Sequence, residues 1–164
     1  MPITDRINAH YKFPFKWYPF QESIVNETGN NPRAGHYIDV GGGKTGVSTA
    51  IALWFKISQG TQTLVIMPPI LIKMWGRWLD RISPAPTWVA YAGTPKQRAQ
   101  VRFDADFILM SMQIFKKDYD YVLGMLKGHN LTVIVDEATS IKNVGSDNHK
   151  ALSHLRVTFC VLMR

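Results

Sequence analysis

The 164-residue chain is one domain's worth of sequence, long enough to bury roughly 70% of the surface its unfolded form exposes. Its 46% hydrophobic content excludes disorder, and its longest apolar stretch, Leu64 to Ile72, is too short and too broken by proline to span a bilayer. An excess of 19 Lys and Arg over 12 Asp and Glu, a net charge of +7, favours a polyanionic partner, with nucleic acid the first suspect.

The N-terminus lacks the apolar core of a signal peptide. The single cysteine, Cys160, lies in an apolar run, cannot form an internal disulfide and fits a reducing cytoplasm. The five histidines are scattered without metal-ligand spacing, so no zinc site is expected. Residues 1 to 10 carry little pattern and read as a mobile or loosely docked start. From Tyr11 the chain alternates, with Tyr11, Phe13, Phe15 and Trp17 on one side and Lys12, Pro14 and Lys16 on the other. Period two means extended structure, and Pro14 confines it to a sheet edge or to a segment outside the sheet. Aromatics between lysines could stack bases; packing onto the edge of the domain is the simpler reading. Tyr18-Pro19-Phe20-Gln21 then leads into a helix through Ile24 and Val25, and Thr28 to Gly35 is a polar loop.

A short β-branched and aromatic run, His36 to Val40, passes into Asp39-Val40-Gly41-Gly42-Gly43-Lys44-Thr45, followed by a helical pattern from Gly46 to Ser58. Strand, glycine turn and helix start together make a phosphate cradle. Glycines let successive backbone N–H groups point inward, and the helix N-terminus adds its dipole. Lys44 would reach the β- and γ-phosphates, and the Thr45 hydroxyl would sit on Mg²⁺. The full phosphate-loop pattern asks for glycine where this chain has Ile38. The shortened form, Asp39-x-Gly41-x-Gly43-Lys44-Thr45, is the variant of helicase-type ATPases.

Gln59-Gly60 stops that helix, and Thr63 to Met67 is a second buried strand closed by Pro68-Pro69. The next helix, Ile70 to Ile82, places Leu71, Trp75, Trp78, Leu79 and Ile82 on one face, where the tryptophans read as core rather than ligand-stacking groups. Lys73, Arg77 and Arg81 recur every four residues on another face. That row is either plain solvated surface or, directly after the Pro-Pro strand end, a phosphate-binding one. Trp88 to Tyr91 reads as a third strand, and Thr94-Pro95 as an N-cap with proline at the first position of a basic helix carrying Lys96, Arg98 and Arg102. Phe107 to Met110 is a fourth strand, ending at Ser111, and a helix follows over Ile114 to Leu126.

Leu131 to Val135 is a continuous, β-rich apolar run, as a buried parallel strand should be. It ends in Asp136-Glu137-Ala138-Thr139. Adjacent carboxylates at the end of a buried strand are costly unless they act there. Asp136 would hold Mg²⁺, and Glu137 would orient and deprotonate an attacking water. The phosphate loop and the acidic pair together specify a nucleoside-triphosphate site. Asn148 to Leu155 reads as another helix and Val157 to Met163 as a final strand. Strands alternating with helices predict one α/β domain of three layers with a largely parallel sheet.

These motifs, in this order, resemble the first RecA-like lobe of a superfamily-two helicase, and within it the Swi/Snf-type DNA-dependent ATPases, including small bacterial and phage ones. The resemblance runs from about Tyr18 to Met163. Pro19-Phe20-Gln21 resembles the glutamine motif, which implies that Gln21 reads the adenine edge. Gly41 to Thr45 is similar to motif I. Leu64 to Pro69 with Trp75 resembles motif Ia, and Ile108 to Ser111 with Met112-Gln113 resembles a second backbone-contact segment; DNA contacts are implied for Pro69, Lys73, Arg77 and Ser111. Tyr91 to Thr94, with Arg98, resembles the segment after the third strand. Asp136-Glu137-Ala138 is similar to motif II, and Ser140-Ile141-Lys142-Asn143 behind it is the most Swi/Snf-like signature of the chain. The last strand is expected between the phosphate-loop and Glu137 strands. Thr139 departs from the family, which usually has His or Gln there.

The resemblance implies ATP and Mg²⁺ as cofactors, DNA as partner and a cytoplasmic setting, that of the host if the source is a phage. Residues 1–17 are expected to be an N-terminal extension and 18–164 the ATP-binding lobe, ending before the Thr-Gly-Thr-Pro loop of motif III. The lobe is expected to be either truncated or completed by another polypeptide that supplies the second lobe and its arginine finger, without which turnover is expected to be weak or absent. A non-hydrolysing lobe that binds DNA or a partner is the alternative. A small phosphate-loop kinase is disfavoured by the acidic pair with Ile-Lys-Asn behind it.

Overall fold

The computed structural model describes residues 1–30, 33–36, 43–136 and 159–163. Six strands form one sheet: β1 (Arg33–His36), β2 (Gln62–Ile66), β3 (Trp88–Ala90), β4 (Phe107–Met110), β5 (Leu131–Val135) and β6 (Phe159–Met163). Their order is β1-β6-β5-β2-β4-β3, and every pairing is parallel. The last strand therefore lies between the one that leads to the glycine turn and the one that ends at Asp136, as expected. The expected helix over Asn148 to Leu155, and the residues of the first strand beyond His36, lie outside the described residues.

Because side chains alternate across a strand, the apolar runs of β2, β4 and β5 feed two cores at once. Val65, Leu109 and Ile134 face one layer, built on α1 (Ile3–Asn8), α2 (Pro19–Thr28), α3 (Lys44–Gln59) and α4 (Ile72–Asp80), with Ile51, Phe55, Trp75 and Leu79 among its buried side chains. Leu64, Ile66, Ile108, Met110, Val133 and Val135 face the other, where Phe115 of α6 (Met112–Lys117) and Val122 and Leu126 of α7 (Tyr119–Leu126) cover them. Burying each such side chain contributes ~1.5–3 kcal/mol, which is why five consecutive buried residues in β5 hold a register with neighbours on both sides. The three-layer reading of the sequence holds. Among the described residues no helix is long and apolar enough to cross a membrane.

Four local expectations need correction. Residues 1 to 10 are not loose: α1 is docked by buried Ile3, Thr4 and Ile7, and the Thr4 amide donates to Asn26 Oδ1 at 3.1 Å. The helix expected over Ile70 to Ile82 is a 3₁₀ turn, Pro69–Leu71, followed by α4, because the two prolines set the entry. The helix expected over Ile114 to Leu126 breaks at Asp118 (φ −104°, ψ 28°) into α6 and α7. The basic helix after Thr94 shortens to α5 (Pro95–Ala99), with Arg98 buried and Arg102 beyond its end. Thr94 does cap it, Oγ1 accepting from the Gln97 amide at 3.2 Å.

The alternating segment behaves as the simpler reading held. Phe13 is buried, Tyr11, Phe15 and Trp17 pack against the α3 side of the core, and Lys12, Pro14 and Lys16 are exposed. Phe13, Phe15 and Trp17 form an edge-packed aromatic cluster, with centroids 4.8–5.7 Å apart.

Candidate nucleotide-binding site

A parallel sheet carries all its C-terminal strand ends on one edge, where open α/β folds place their ligands. Here that edge gathers Pro68 after β2, Ser111 after β4 and Asp136 after β5, and Gly43, the last glycine of the run, opens directly into α3. Gly43 is the N-cap of α3 in the left-handed region (φ 74°, ψ 34°), a geometry that favours glycine. A Cβ there would also meet Gln21 Nε2, so any larger residue must push the end of the Gln21 side chain aside. Among the described residues no side chain caps α3, and no acid sits in its first turn, so the helix end keeps its positive character for an anion.

A cavity of about 570 Å³ opens over this helix end. Gly43, Lys44, Thr45 and Gly46 line it from α3, Phe15, Lys16, Tyr18 and Gln21 from the N-terminal segment, and Trp78 from α4. Gln21 is buried, and its Oε1 accepts from the Tyr18 amide at 2.9 Å, which fixes the side chain at the start of α2. Behind the cavity lining, Lys44 Nζ lies 3.4 Å from Asp136 Oδ1. Asp136 is buried, its amide donates to Ile66 O at 2.8 Å, and its Oδ2 accepts from Trp75 Nε1 at 3.3 Å. Oδ1 accepts no hydrogen bond from the described residues. A buried carboxylate oxygen without a donor, facing an ammonium and a helix N-terminus, offers what a hard cation with a phosphate would complete. Thr45, one residue after Lys44, lines the same cavity, and a threonine hydroxyl is an oxygen donor of the kind that suits Mg²⁺.

The structure thus brings Gln21, Gly43, Lys44, Thr45 and Asp136 together. Gly41, Gly42, Glu137, Lys142 and Asn143 lie outside the described residues. Of the residues expected at DNA, Pro69, Lys73 and Arg77 are exposed near the same edge. Ser111 is buried, and its hydroxyl accepts from the Ile114 amide at 3.2 Å as the cap of α6.

The SNF2-related domain family matches residues 27–162. The chain belongs to that family. Among curated SNF2 relatives it is similar to the mouse Chromodomain-helicase-DNA-binding protein 1-like, 27% identical over 134 residues, covering 76% of this chain and 14% of that protein. It is also similar to an uncharacterized ATP-dependent helicase of Mycoplasma genitalium, 29% identical over 103 residues, covering 62% of this chain and 10% of that protein. Among solved structures, the Sulfolobus solfataricus SWI2/SNF2 ATPase core in complex with dsDNA superposes with a TM-score of 0.80 at 22% identity, over 93% of this chain and 32% of that one. A second structure, the Sulfolobus solfataricus SWI2/SNF2 ATPase core domain, gives a TM-score of 0.76 at 22% identity, over 92% of this chain and 31% of that one. The chain therefore spans about a third of the solved SNF2 cores and about an eighth of the curated relatives. Its fold is that of the N-terminal, RecA-like lobe of such a core.

Two side chains that sequence reasoning left in the core belong to this site of the SNF2 lobe. Trp75 is fully buried, yet its indole N–H ends on Asp136. Trp78 is half-buried, stacks on Phe15 with centroids 5.6 Å apart, and donates through Nε1 to Thr49 Oγ1 at 2.9 Å. Helical spacing reveals which face a tryptophan takes, not what its single N–H reaches. The one available signal is that a buried indole N–H must end on an acceptor.

Proposed function

We propose that this chain is the nucleotide-binding lobe of a DNA-dependent ATPase, in which Mg²⁺-assisted ATP hydrolysis is coupled to DNA. The observation that carries the reading is the apposition of Lys44 and Asp136, 3.4 Å apart, at the C-terminal edge of a parallel sheet. In this reading Gly41 to Gly43 and the first turn of α3 hold the phosphates by backbone N–H groups, and Lys44 turns from Asp136 to the β- and γ-phosphates. Thr45 and Asp136 would hold Mg²⁺, which when bound neutralises charge developing on the phosphate oxygens. Gln21 reads the adenine edge from the wall of the cavity. Glu137 orients the attacking water and accepts its proton.

Pro69, Lys73 and Arg77 form the DNA side; Ser111, buried as the cap of α6, is not a contact in this reading. The net charge of +7 and the exposure of Lys73 and Arg77 support it, and so does a relative whose solved complex contains dsDNA. Residues 18–164 are the ATP-binding lobe, residues 1–17 extend it by packing α1 and the aromatic strip along α3, and a second RecA-like lobe supplies the arginine finger, worth about 10³–10⁵ in rate in related chemistry. The test is ATP hydrolysis by the purified chain with and without DNA, beside Lys44→Ala and Glu137→Gln. DNA-stimulated turnover lost in both variants supports the assignment. Turnover by Glu137→Gln equal to the parent removes the base, and nucleotide binding by Lys44→Ala equal to the parent removes the site.

A further inference from the structure

The two residues assigned to the metal stand on different elements, Thr45 on α3 and Asp136 after β5, and both are hydrogen-bonded back to one helix. Trp75 of α4 donates from Nε1 to Asp136 Oδ2 at 3.3 Å. Trp78, one turn on, donates to Thr49 Oγ1 at 2.9 Å, and Thr49 Oγ1 donates to the Thr45 carbonyl at 2.7 Å. Neither indole is needed to fill space with a polar atom: a buried N–H costs free energy unless it ends on an acceptor, and each ends on the frame of the same site. Trp75 is fully buried and Asp136 is 3% exposed, so water does not compete for either group. With Oδ2 taken by the indole, the carboxylate presents Oδ1 toward Lys44, which itself lines the cavity.

We propose that Trp75 is a positioning residue for Asp136: its indole N–H fixes the carboxylate so that one oxygen, Oδ1, is delivered to Mg²⁺, while Trp78 holds the first turn of α3, and with it Thr45, through Thr49. The inference rests on the reading of Asp136 as a metal ligand. Outer partners that orient ligating groups typically contribute 10–100-fold to metal affinity. Helix α4 then acts as a common brace. It sets the distance between two ligands that the sheet and α3 would otherwise hold independently.

The test measures ATP affinity of the whole chain by equilibrium dialysis, in EDTA and across a Mg²⁺ titration. Position 75 carries benzothienylalanine, which keeps the ring shape and replaces the N–H by sulfur; Trp75→Ala is avoided because it would leave a cavity at the centre of the core. The expected result is a Mg²⁺ midpoint raised about tenfold, with unchanged affinity in EDTA and an unchanged melting temperature. A purely packing role leaves the midpoint where it was, which overturns the proposal. Asp136→Asn separates the two levels. If it abolishes the Mg²⁺ dependence while the isostere has no effect, only the positioning role falls; if Asp136→Asn also has no effect, the metal assignment falls with it.

Discussion

Lys44, at the start of α3, and Asp136, at the end of β5, meet at 3.4 Å, with side-chain exposures of 26% and 1%. Such a pair is asymmetric: the lysine can find water, the carboxylate cannot. Removing the cation strands a buried charge, a loss of about 3–5 kcal/mol for a fully buried pair and about 1–3 kcal/mol here because Lys44 stays partly solvated. Lys44→Met is therefore expected to lower stability as well as nucleotide affinity, and adding Asp136→Asn is expected to recover most of the stability but none of the affinity. Urea denaturation of the two single variants and the double variant gives the coupling. Strict additivity would contradict the pairing.

Gly43 carries two constraints that one substitution violates together. Alanine at a left-handed position costs ~1–3 kcal/mol, and its methyl would meet Gln21 Nε2. Gly43→Ala is expected to destabilise by about that amount and to displace Gln21 from the cavity wall. Pairing it with Gln21→Ala relieves the contact and leaves the backbone cost, so thermal melts should show partial recovery. Full recovery would mean that φ at this position is not a constraint.

The buried group of Tyr91, Arg98 and Asp118 makes opposite contributions at the two ends of the pH scale. Tyr91 donates to Asp118 Oδ2 at 2.6 Å, and Arg98 Nε donates to the same oxygen at 2.7 Å. Burial, then the bond to Asp118, pushes the Tyr91 hydroxyl up to about 12. The bonds from Tyr91 and from Arg98 hold the Asp118 carboxyl below the usual range. A raised Tyr91 contributes stability that is complete below its unfolded value, about 10, and lost as pH climbs toward 12. A lowered Asp118 contributes stability that is complete above its unfolded value, about 3.9, and lost as pH falls through its folded value. Tyr91→Phe should flatten the alkaline arm of a plot of urea midpoint against pH, and Asp118→Asn the acid arm. An unchanged slope in either variant would remove that residue from the account.

Lys73 and Arg77 stand exposed on α4 at the edge where β2 ends. If they meet phosphates, Lys73→Ala and Arg77→Ala should each reduce the slope of log affinity for DNA against log salt by about one, roughly equally for all sequences. Lys127, before β5 at the opposite edge of the sheet, serves as control and should leave the slope unchanged. A loss confined to one DNA sequence would point instead to base contacts.

What the sequence disclosed and what it concealed follow one physical division. Strands β4 and β5 were legible to the residue because a buried parallel strand is a continuous apolar run with polar ends. The placement of Gly43-Lys44-Thr45 at one helix start was legible because neighbours in sequence are there neighbours in space. The break at Asp118 was not, because the carboxylate that leaves helical geometry is held by Tyr91 and Arg98 from another segment. Nor was α1, six residues long, which is too short to persist on propensity and is stabilised by burial against α2 and α3. The tryptophans of α4 belong to the same class: periodicity assigned their face correctly, while the targets of their N–H groups lie on other elements.

The sheet order carries a consequence for assembly in time. Strand β1, which delivers the chain to the glycine turn, has β6 as its neighbour in the sheet, and β6 is the last strand in the sequence. Strands β2 to β5 can zip together as soon as they are made, since each already has a partner within that set. During synthesis at about 5–20 residues per second, β1 must wait for nearly the whole lobe before it is fastened. Pulse-labelled hydrogen exchange should find the amides of residues 33–36 protected after those of β2 and β5. The strand entering the glycine run is thus fastened only when β6, the last of the described strands, arrives, and a nascent lobe can hold a nearly finished core while that end is still untethered.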